Sequence, residues 1–143
     1  MEAPFKEKVF ITGINGFTGK HLEKHLSEKG FQVYGSTLDE TSVTNHFKCD
    51  ILNEEALFDV LNKVKPHYVI HLAAISFVAS KNQQNIYTVN VFGTINLLNA
   101  IEKLDYRLNK ILVASSATVY GNIEGELNET MCPTPVNHYG NSK

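Results

Sequence analysis

Val9-Phe10-Ile11-Thr12-Gly13-Ile14-Asn15-Gly16-Phe17-Thr18-Gly19 sets the architecture of the chain. Its first four residues form a short apolar run stopped by a glycine, which predicts a buried strand. The residues from Phe17 to about Lys29 predict a helix, with Leu22 and Leu26 on one face and Gly30 suited to its C-terminal cap. Between strand and helix lies a G-x-x-G-x-x-G loop. In such a loop Gly13 allows the tight turn, Gly16 the close approach of a pyrophosphate, and Gly19 close helix–strand packing. The helix N-terminus then turns its free N–H groups toward the phosphates. A glycine-rich turn can also be structural only, but its place after a strand and before a helix raises the signal. The stretch argues against a kinase-type P-loop, because Gly19-Lys20 is followed by His21 and not by serine or threonine.

Outward from this unit, strand and helix keep alternating. Phe31 to Gly35 reads as a second strand, residues 37–45 as a polar loop, and Phe47 to Cys49 as a short third strand. Asn53 can cap a helix running to Val64, since Ala56, Leu57, Val60, Leu61 and Val64 share one stripe and Pro66 ends it. His67 to Ala73 is a nearly continuous apolar run, as expected of a parallel strand covered on both faces. A long helix is predicted over residues 84–104, burying Ile86, Val89, Gly93, Leu97, Ala100 and Ile101. Lys110 to Ser115 forms the fifth strand. Gly121, Gly125, Pro133 and Pro135 mark a loop, and a final helix begins near Asn137 or His138. The alternation predicts a doubly wound α/β domain with a parallel sheet and right-handed crossovers.

Composition narrows the function. The chain has 143 residues, 43% of them hydrophobic, which supports one domain with a sizeable core. A formal net charge of -2 offers no field for nucleic acid or a membrane surface. No apolar stretch reaches the length of a membrane span, and residues 1–8 lack the apolar run of a signal peptide. Cys49 and Cys132 form no zinc-like cluster and fit a reduced, cytoplasmic setting. The six histidines show no metal-like grouping, and His21 and His25 read as solvent-facing or as helix contacts.

Two further places carry chemistry. Asp39 lies about the expected distance beyond the second strand for accepting the 2′-hydroxyl of a ribose, no arginine stands nearby to meet a 2′-phosphate, and NAD and NADP both stay open. Asp50 follows the third strand, where a carboxylate can accept from an adenine amino group or simply face solvent. Tyr139 and Lys143 stand four residues apart, one helical turn, and would share a face. An ammonium beside a phenol favours the phenolate, which suits proton transfer near neutral pH.

Thr12-Gly13-x-x-Gly16-Phe17-x-Gly19, Asp50-Ile51, His71-Leu72-Ala73-Ala74, Asn90-Val91-x-Gly93-Thr94, Ser115-Ser116-Ala117-Thr118-Val119-Tyr120-Gly121 and Tyr139-x-x-x-Lys143 occur in one order over nearly the whole chain. In this the chain resembles the extended short-chain dehydrogenase/reductases, the NAD-dependent epimerase/dehydratase family of nucleotide-sugar enzymes. The resemblance implies a Rossmann-like dinucleotide-binding domain with NAD or NADP as cofactor. It implies contacts to the cofactor from Gly13, Asn15, Gly16, Phe17, Gly19, Asp39, Asp50, Ile51, Leu72, Ala73, Ala74, Asn90, Tyr139 and Lys143. Asn90 would be a structural asparagine in the central helix. Ser116 would hydrogen-bond the sugar oxygen, Tyr139 would be the acid/base, and Lys143 would bind the nicotinamide ribose and favour the phenolate. The structural alternative for Ser115 and Ser116 is a strand-end pair that caps the turn.

Dehydratases of this family carry an acid just after the catalytic serine or threonine. Ala117 and Thr118 stand there, which counts against a dehydratase, and Glu124 and Glu126 lie beyond the Gly121 turn. The Ser115–Gly121 segment looks like that of UDP-galactose 4-epimerases. The runs His71 to Ala79 (including Ser76, Phe77 and Val78), Tyr87 to Thr94 and Pro133 to Tyr139 look more like GDP-6-deoxy-4-keto-mannose reductases. The favoured expectation is reduction of the 4-keto group of GDP-4-keto-6-deoxy-mannose; the alternatives are a UDP-sugar 4-epimerase and a non-catalytic dinucleotide-binding module. Family members run to roughly twice this length, so residues 1–143 are expected to be the N-terminal part of the dinucleotide-binding domain, without the substrate domain and inactive by themselves. The helix of residues 84–104 is expected to pair with its mate in a homodimer.

Overall fold

A computed structural model describes residues 6–76 and 82–143. Phe77, Val78 and Ala79, quoted above, lie outside the described residues, as do residues 1–5 of the N-terminal reading. Five parallel strands form one sheet in the order β3-β2-β1-β4-β5. They are β1 (Lys8–Thr12), β2 (Gln32–Thr37), β3 (His46–Lys48), β4 (Tyr68–His71) and β5 (Lys110–Val113). The central strand β1 alternates its burial between two cores. Val9 and Ile11, with Ile14 and Val33, pack against Leu22 and Leu26 of α1 (Phe17–Glu28). Phe10 and Val69 point the other way, into a cluster with Leu57, Leu61 and Val64 of α2 (Glu54–Val64) and with Leu97 and Ala100. Helices therefore cover both faces, as the continuous apolar strands predict. Each fully buried leucine of that cluster contributes about 2 kcal/mol of transfer free energy.

The local signals act where expected. Asn53 caps α2 by accepting from the Ala56 N–H at 3.0 Å. Lys65 closes the helix in the left-handed region at φ 51°, directly before Pro66. The predicted long helix is present as α3 (Gln83–Tyr87), a π-helical segment (Thr88–Phe92) and α4 (Gly93–Glu102). The π turn interrupts what the sequence predicts as a regular helix. β2 continues to Thr37, two residues past its predicted end, because Ser36 and Thr37 pair with Thr12 of β1 and Lys48 of β3 respectively. β5 pairs only with β4 among the described strands, and its Ile111, Leu112 and Val113 are 36%, 50% and 48% exposed. α5 (His138–Asn141) begins after Asn137, which accepts from the Gly140 N–H at 2.7 Å.

Candidate functional site

The glycine loop leaves β1 and is pinned to β2, since the N–H groups of Gly13 and Ile14 both donate to the Ser36 carbonyl, at 3.0 and 3.1 Å. Gly13 sits at φ 71°, and a Cβ there would lie 3.0 Å from the Ala73 backbone beyond β4. Only glycine fits both the torsion and the contact. Gly19 is buried beneath the loop, where a Cβ would meet the carbonyl oxygens of Gly13 and Ile14 at 2.5 Å. Gly16 is the N-cap of α1, and no side chain caps that end. A helix N-terminus of this kind favours an anion.

Above this loop opens a cleft of about 680 Å³ at the C-terminal ends of the strands. Of the residues predicted to meet a cofactor, Gly13, Asn15, Gly16, Asp39, Asp50, Ile51, Leu72, Ala73 and Ala74 line it. The cleft suits a dinucleotide: Gly13, Gly16 and an uncapped helix end leave room for a diphosphate, and polar and apolar groups both line the walls. Thr37 ties two of its residues together, accepting from Asn15 Nδ2 at 3.0 Å and from the Asp39 N–H at 3.1 Å. Asp50 Oδ1 accepts from the Leu52 N–H at 2.9 Å, so its carboxylate also shapes the loop. Cys49, Ser36, Thr37, Leu52, Ile75, Asn85 and Val89 line the cleft too and were not foreseen. Burial, with the neighbouring Asp50 charge, pushes the Cys49 thiol up to about 11, so it is no nucleophile.

Five residues of the predicted cofactor set stand elsewhere: Phe17, Gly19 and Asn90, and Tyr139 and Lys143, which are described below. Phe17 is 83% exposed and packs edge-on against His21, with ring centroids 4.7 Å apart. Gly19 is under the loop and not in the cleft. Asn90 is 4% exposed and turns its side chain to the protein. It accepts from the Ile75 N–H at 2.7 Å and donates to the Ile75 carbonyl at 3.1 Å and to Ser142 Oγ at 2.8 Å. The π turn carries it, and such turns are frequent at functional sites.

Ser116, Tyr139 and Lys143 lie on neighbouring pieces of chain outside the residues that line the cleft. Ser116 precedes a 3₁₀ turn (Ala117–Tyr120), and its Oγ accepts from Thr118 Oγ1 at 2.9 Å and from the Thr118 N–H at 3.3 Å. The turn-capping role therefore exists, and it leaves the serine's own proton free to be donated. α5 packs on this turn: a Cβ on the buried Gly140 would lie 2.7 Å from the Thr118 carbonyl oxygen. Tyr139 is on α5, and Lys143 follows it, with the Lys143 N–H donating to the Gly140 carbonyl at 3.2 Å. The Ser115 hydroxyl donates to the Lys143 carbonyl at 3.4 Å. Burial lowers the Lys143 ammonium from its ordinary pKa. The same cause, joined by the Lys143 charge, depresses His71 to about 4 and keeps its imidazole neutral. Among the described residues no group of three His, Cys, Asp or Glu side chains could hold a metal, and no helix is long and apolar enough to cross a membrane.

Known proteins share this fold. The family model described as GDP-mannose 4,6 dehydratase matches residues 10–143. A GDP-6-deoxy-D-talose 4-dehydrogenase of Aggregatibacter actinomycetemcomitans is 41% identical over 95% of this chain, which spans 45% of that relative. The UDP-glucose 4-epimerase of Brucella ovis, solved in complex with NAD, is 27% identical with a TM-score of 0.84, over 95% of this chain and 44% of that one. The dTDP-4-dehydrorhamnose reductase of Bacillus anthracis, solved with NADP, is 28% identical with a TM-score of 0.78, over 99% of this chain and 48% of that one. The chain thus spans less than half the length of each of these relatives. Both of these solved relatives carry a dinucleotide, NAD in the first and NADP in the second. The glycine loop, the strand-end cleft and the extent of the match together make the chain a member of the NAD-dependent epimerase/dehydratase (extended short-chain dehydrogenase/reductase) family, whose enzymes act on nucleotide sugars.

Proposed function

We propose that the chain supplies the dinucleotide-binding half of an oxidoreductase working at C4 of a GDP-6-deoxyhexose, reducing the 4-keto group of GDP-4-keto-6-deoxy-mannose. The observation that carries this reading is the 41% identity to a GDP-6-deoxy-D-talose 4-dehydrogenase. 6-Deoxy-talose and 6-deoxy-mannose differ only at C4, so one 4-keto sugar stands between them. A nicotinamide supplies or takes the hydride when bound. The protein's share is the proton and the positioning. Tyr139 is the acid/base at the sugar oxygen, Ser116 donates its free hydroxyl proton to the same oxygen, and Lys143 holds the ribose and favours the phenolate.

For the cofactor we favour NAD. Asp39 lines the cleft, and among the described residues no lysine or arginine does. Lys48, at the end of β3, is paired with Glu40. A 2′-phosphate would meet a carboxylate with no counter-charge. Dehydration is disfavoured, since Ala117 and Thr118 occupy the 3₁₀ turn and Thr118 is hydrogen-bonded to Ser116. A UDP-sugar 4-epimerase is the second reading, favoured by the likeness to the Brucella ovis enzyme. Turnover is proposed to need the part of the relatives that this chain does not span, and a second copy is proposed to pair along the helix of residues 83–102. Assays of the 143-residue chain and of a version extended to its relatives' length, with GDP-4-keto-6-deoxy-mannose and NADH beside UDP-galactose, test all of this. Turnover by the shorter chain, or epimerisation alone by the longer one, overturns the corresponding part.

A further inference from the structure

We propose that His71 is a positioning residue, tying the backbone beneath the glycine loop to the helical turn that carries Tyr139 and leads into Lys143. A continuous line of hydrogen bonds joins the two places, and its directions can be assigned. Asn90 passes its amide proton to Ser142 Oγ at 2.8 Å, and the Ser142 hydroxyl donates to the Tyr139 carbonyl at 2.8 Å. The Thr94 hydroxyl donates to the Asn90 carbonyl at 2.6 Å. Its single proton spent, Thr94 must accept from His71 Nε2–H, 2.9 Å away. His71 Nδ1 is then an acceptor, and the Thr12 hydroxyl donates to it at 2.7 Å. Thr12 Oγ1 in turn accepts from the N–H groups of Leu72 at 3.2 Å and Ala73 at 3.1 Å. Ala73 is the residue whose backbone a Cβ at Gly13 would meet at 3.0 Å. Each hydroxyl in the line has one proton and one consistent role, so the imidazole is the single group that fixes the polarity between Thr12 and Thr94.

The plainer account is a buried histidine that merely satisfies its own two nitrogens. The line goes further, because it ends on the backbone of Tyr139 and crosses β1, β4, the π turn and α5. A chain of bonds of this kind transmits position, and its members strengthen one another. The consequence for turnover rests on Tyr139 being the proton-transfer group.

Ring-nitrogen NMR of the 143-residue chain with labelled histidine reads the tautomer directly. We expect His71 in the neutral Nε2–H form; the Nδ1–H form would overturn the proposal. His71→Phe keeps a ring and removes both bonds, and Thr94→Val cuts the line at its middle. Either should shift the Tyr139 ring signals and the Ser142 amide, and Thr94→Ser should restore the original positions. Unmoved Tyr139 and Ser142 signals in a folded Thr94→Val protein would overturn it equally. If both disruptive variants fail to fold, the wild-type tautomer decides. All readings are taken without dinucleotide, so a failed NAD titration counts against the proposed function alone.

Discussion

Asn90 and Ser142 meet at 2.8 Å across 52 residues of sequence, one on the π turn and the other beside Lys143. Both are buried, at 4% and 8% exposure, and Ser142 is the C-terminal cap of α5. A four-residue helix is too short to hold itself. This bond, the Asn137 cap and the contact of Gly140 with Thr118 do so instead.

Removing the bond should loosen the turn. Ser142→Ala is expected to cost about 1–2 kcal/mol, and Asn90→Ala about 2–3 kcal/mol, because the latter also strands the Ile75 N–H and carbonyl. Urea unfolding measures both. Equal costs for the two variants would mean that the Ile75 bonds contribute nothing.

Acid should destabilise the fold through His71. The unfolded chain protonates this group near 6.5 and the folded chain near about 4. Between those values the unfolded state holds more protons, so stability falls as pH drops through the window and levels off beneath it. The loss amounts to about 3 kcal/mol when the window has been crossed. Carboxylates add their own slope, so the measurement is the difference in urea midpoint between the wild type and His71→Phe from pH 7 to pH 4. A constant difference would refute this assignment.

Gly13→Ala should abolish dinucleotide binding. The new methyl meets the Ala73 backbone at 3.0 Å in a torsion that alanine avoids. A loss of stability of about 1–3 kcal/mol should accompany it. Isothermal titration with NAD, beside thermal unfolding, reads both effects; retained affinity would show that the loop can shift without harm.

Asp39→Ser should raise the preference for NADP over NAD about tenfold, mostly through weaker binding of NAD. Fluorescence titration with the two reduced cofactors reports the ratio. An unchanged ratio would remove Asp39 from ribose recognition.

Phe92, Ile95 and Leu98 are 58%, 44% and 42% exposed along one side of the 83–102 helix. A charge at the middle of that stripe, Ile95→Glu, should turn a dimer into monomer in light scattering at micromolar concentration. A mass unaffected by this change would place any association elsewhere, with β5 the next surface to alter.

Much of this fold can be read from the chain because it rests on local chemistry. The Asn53 and Asn137 caps, the Leu57-Leu61-Val64 stripe and the glycine spacing each announce themselves within a few residues. What stayed hidden depends on partners far along the chain. Ser36 and Thr37 look like loop residues until β1 and β3 bond to them, and they then become part of the cleft. His71 sits in an apolar run and reads as one more core position; Thr12 and Thr94, 59 and 23 residues away, give it meaning. Phe17 follows the loop in sequence, yet the start of α1 turns its ring outward.

The π turn of residues 88–92 has no glycine or proline to announce it. It holds one residue more than an α-helix would fit into the same rise. Deleting a single residue there would leave a regular helix with its two halves in phase, at the cost of the turn that aims Asn90. Asn90 would then leave Ile75 and Ser142 while Leu97 and Ala100 kept their places. Substitutions at this spot can be graded, but changes of length cannot. The helix should keep its core after a deletion within residues 88–92 while losing the Asn90 bonds, and reject insertions or deletions on either side, an asymmetry that a scan of single-residue indels across residues 84–100 would make visible.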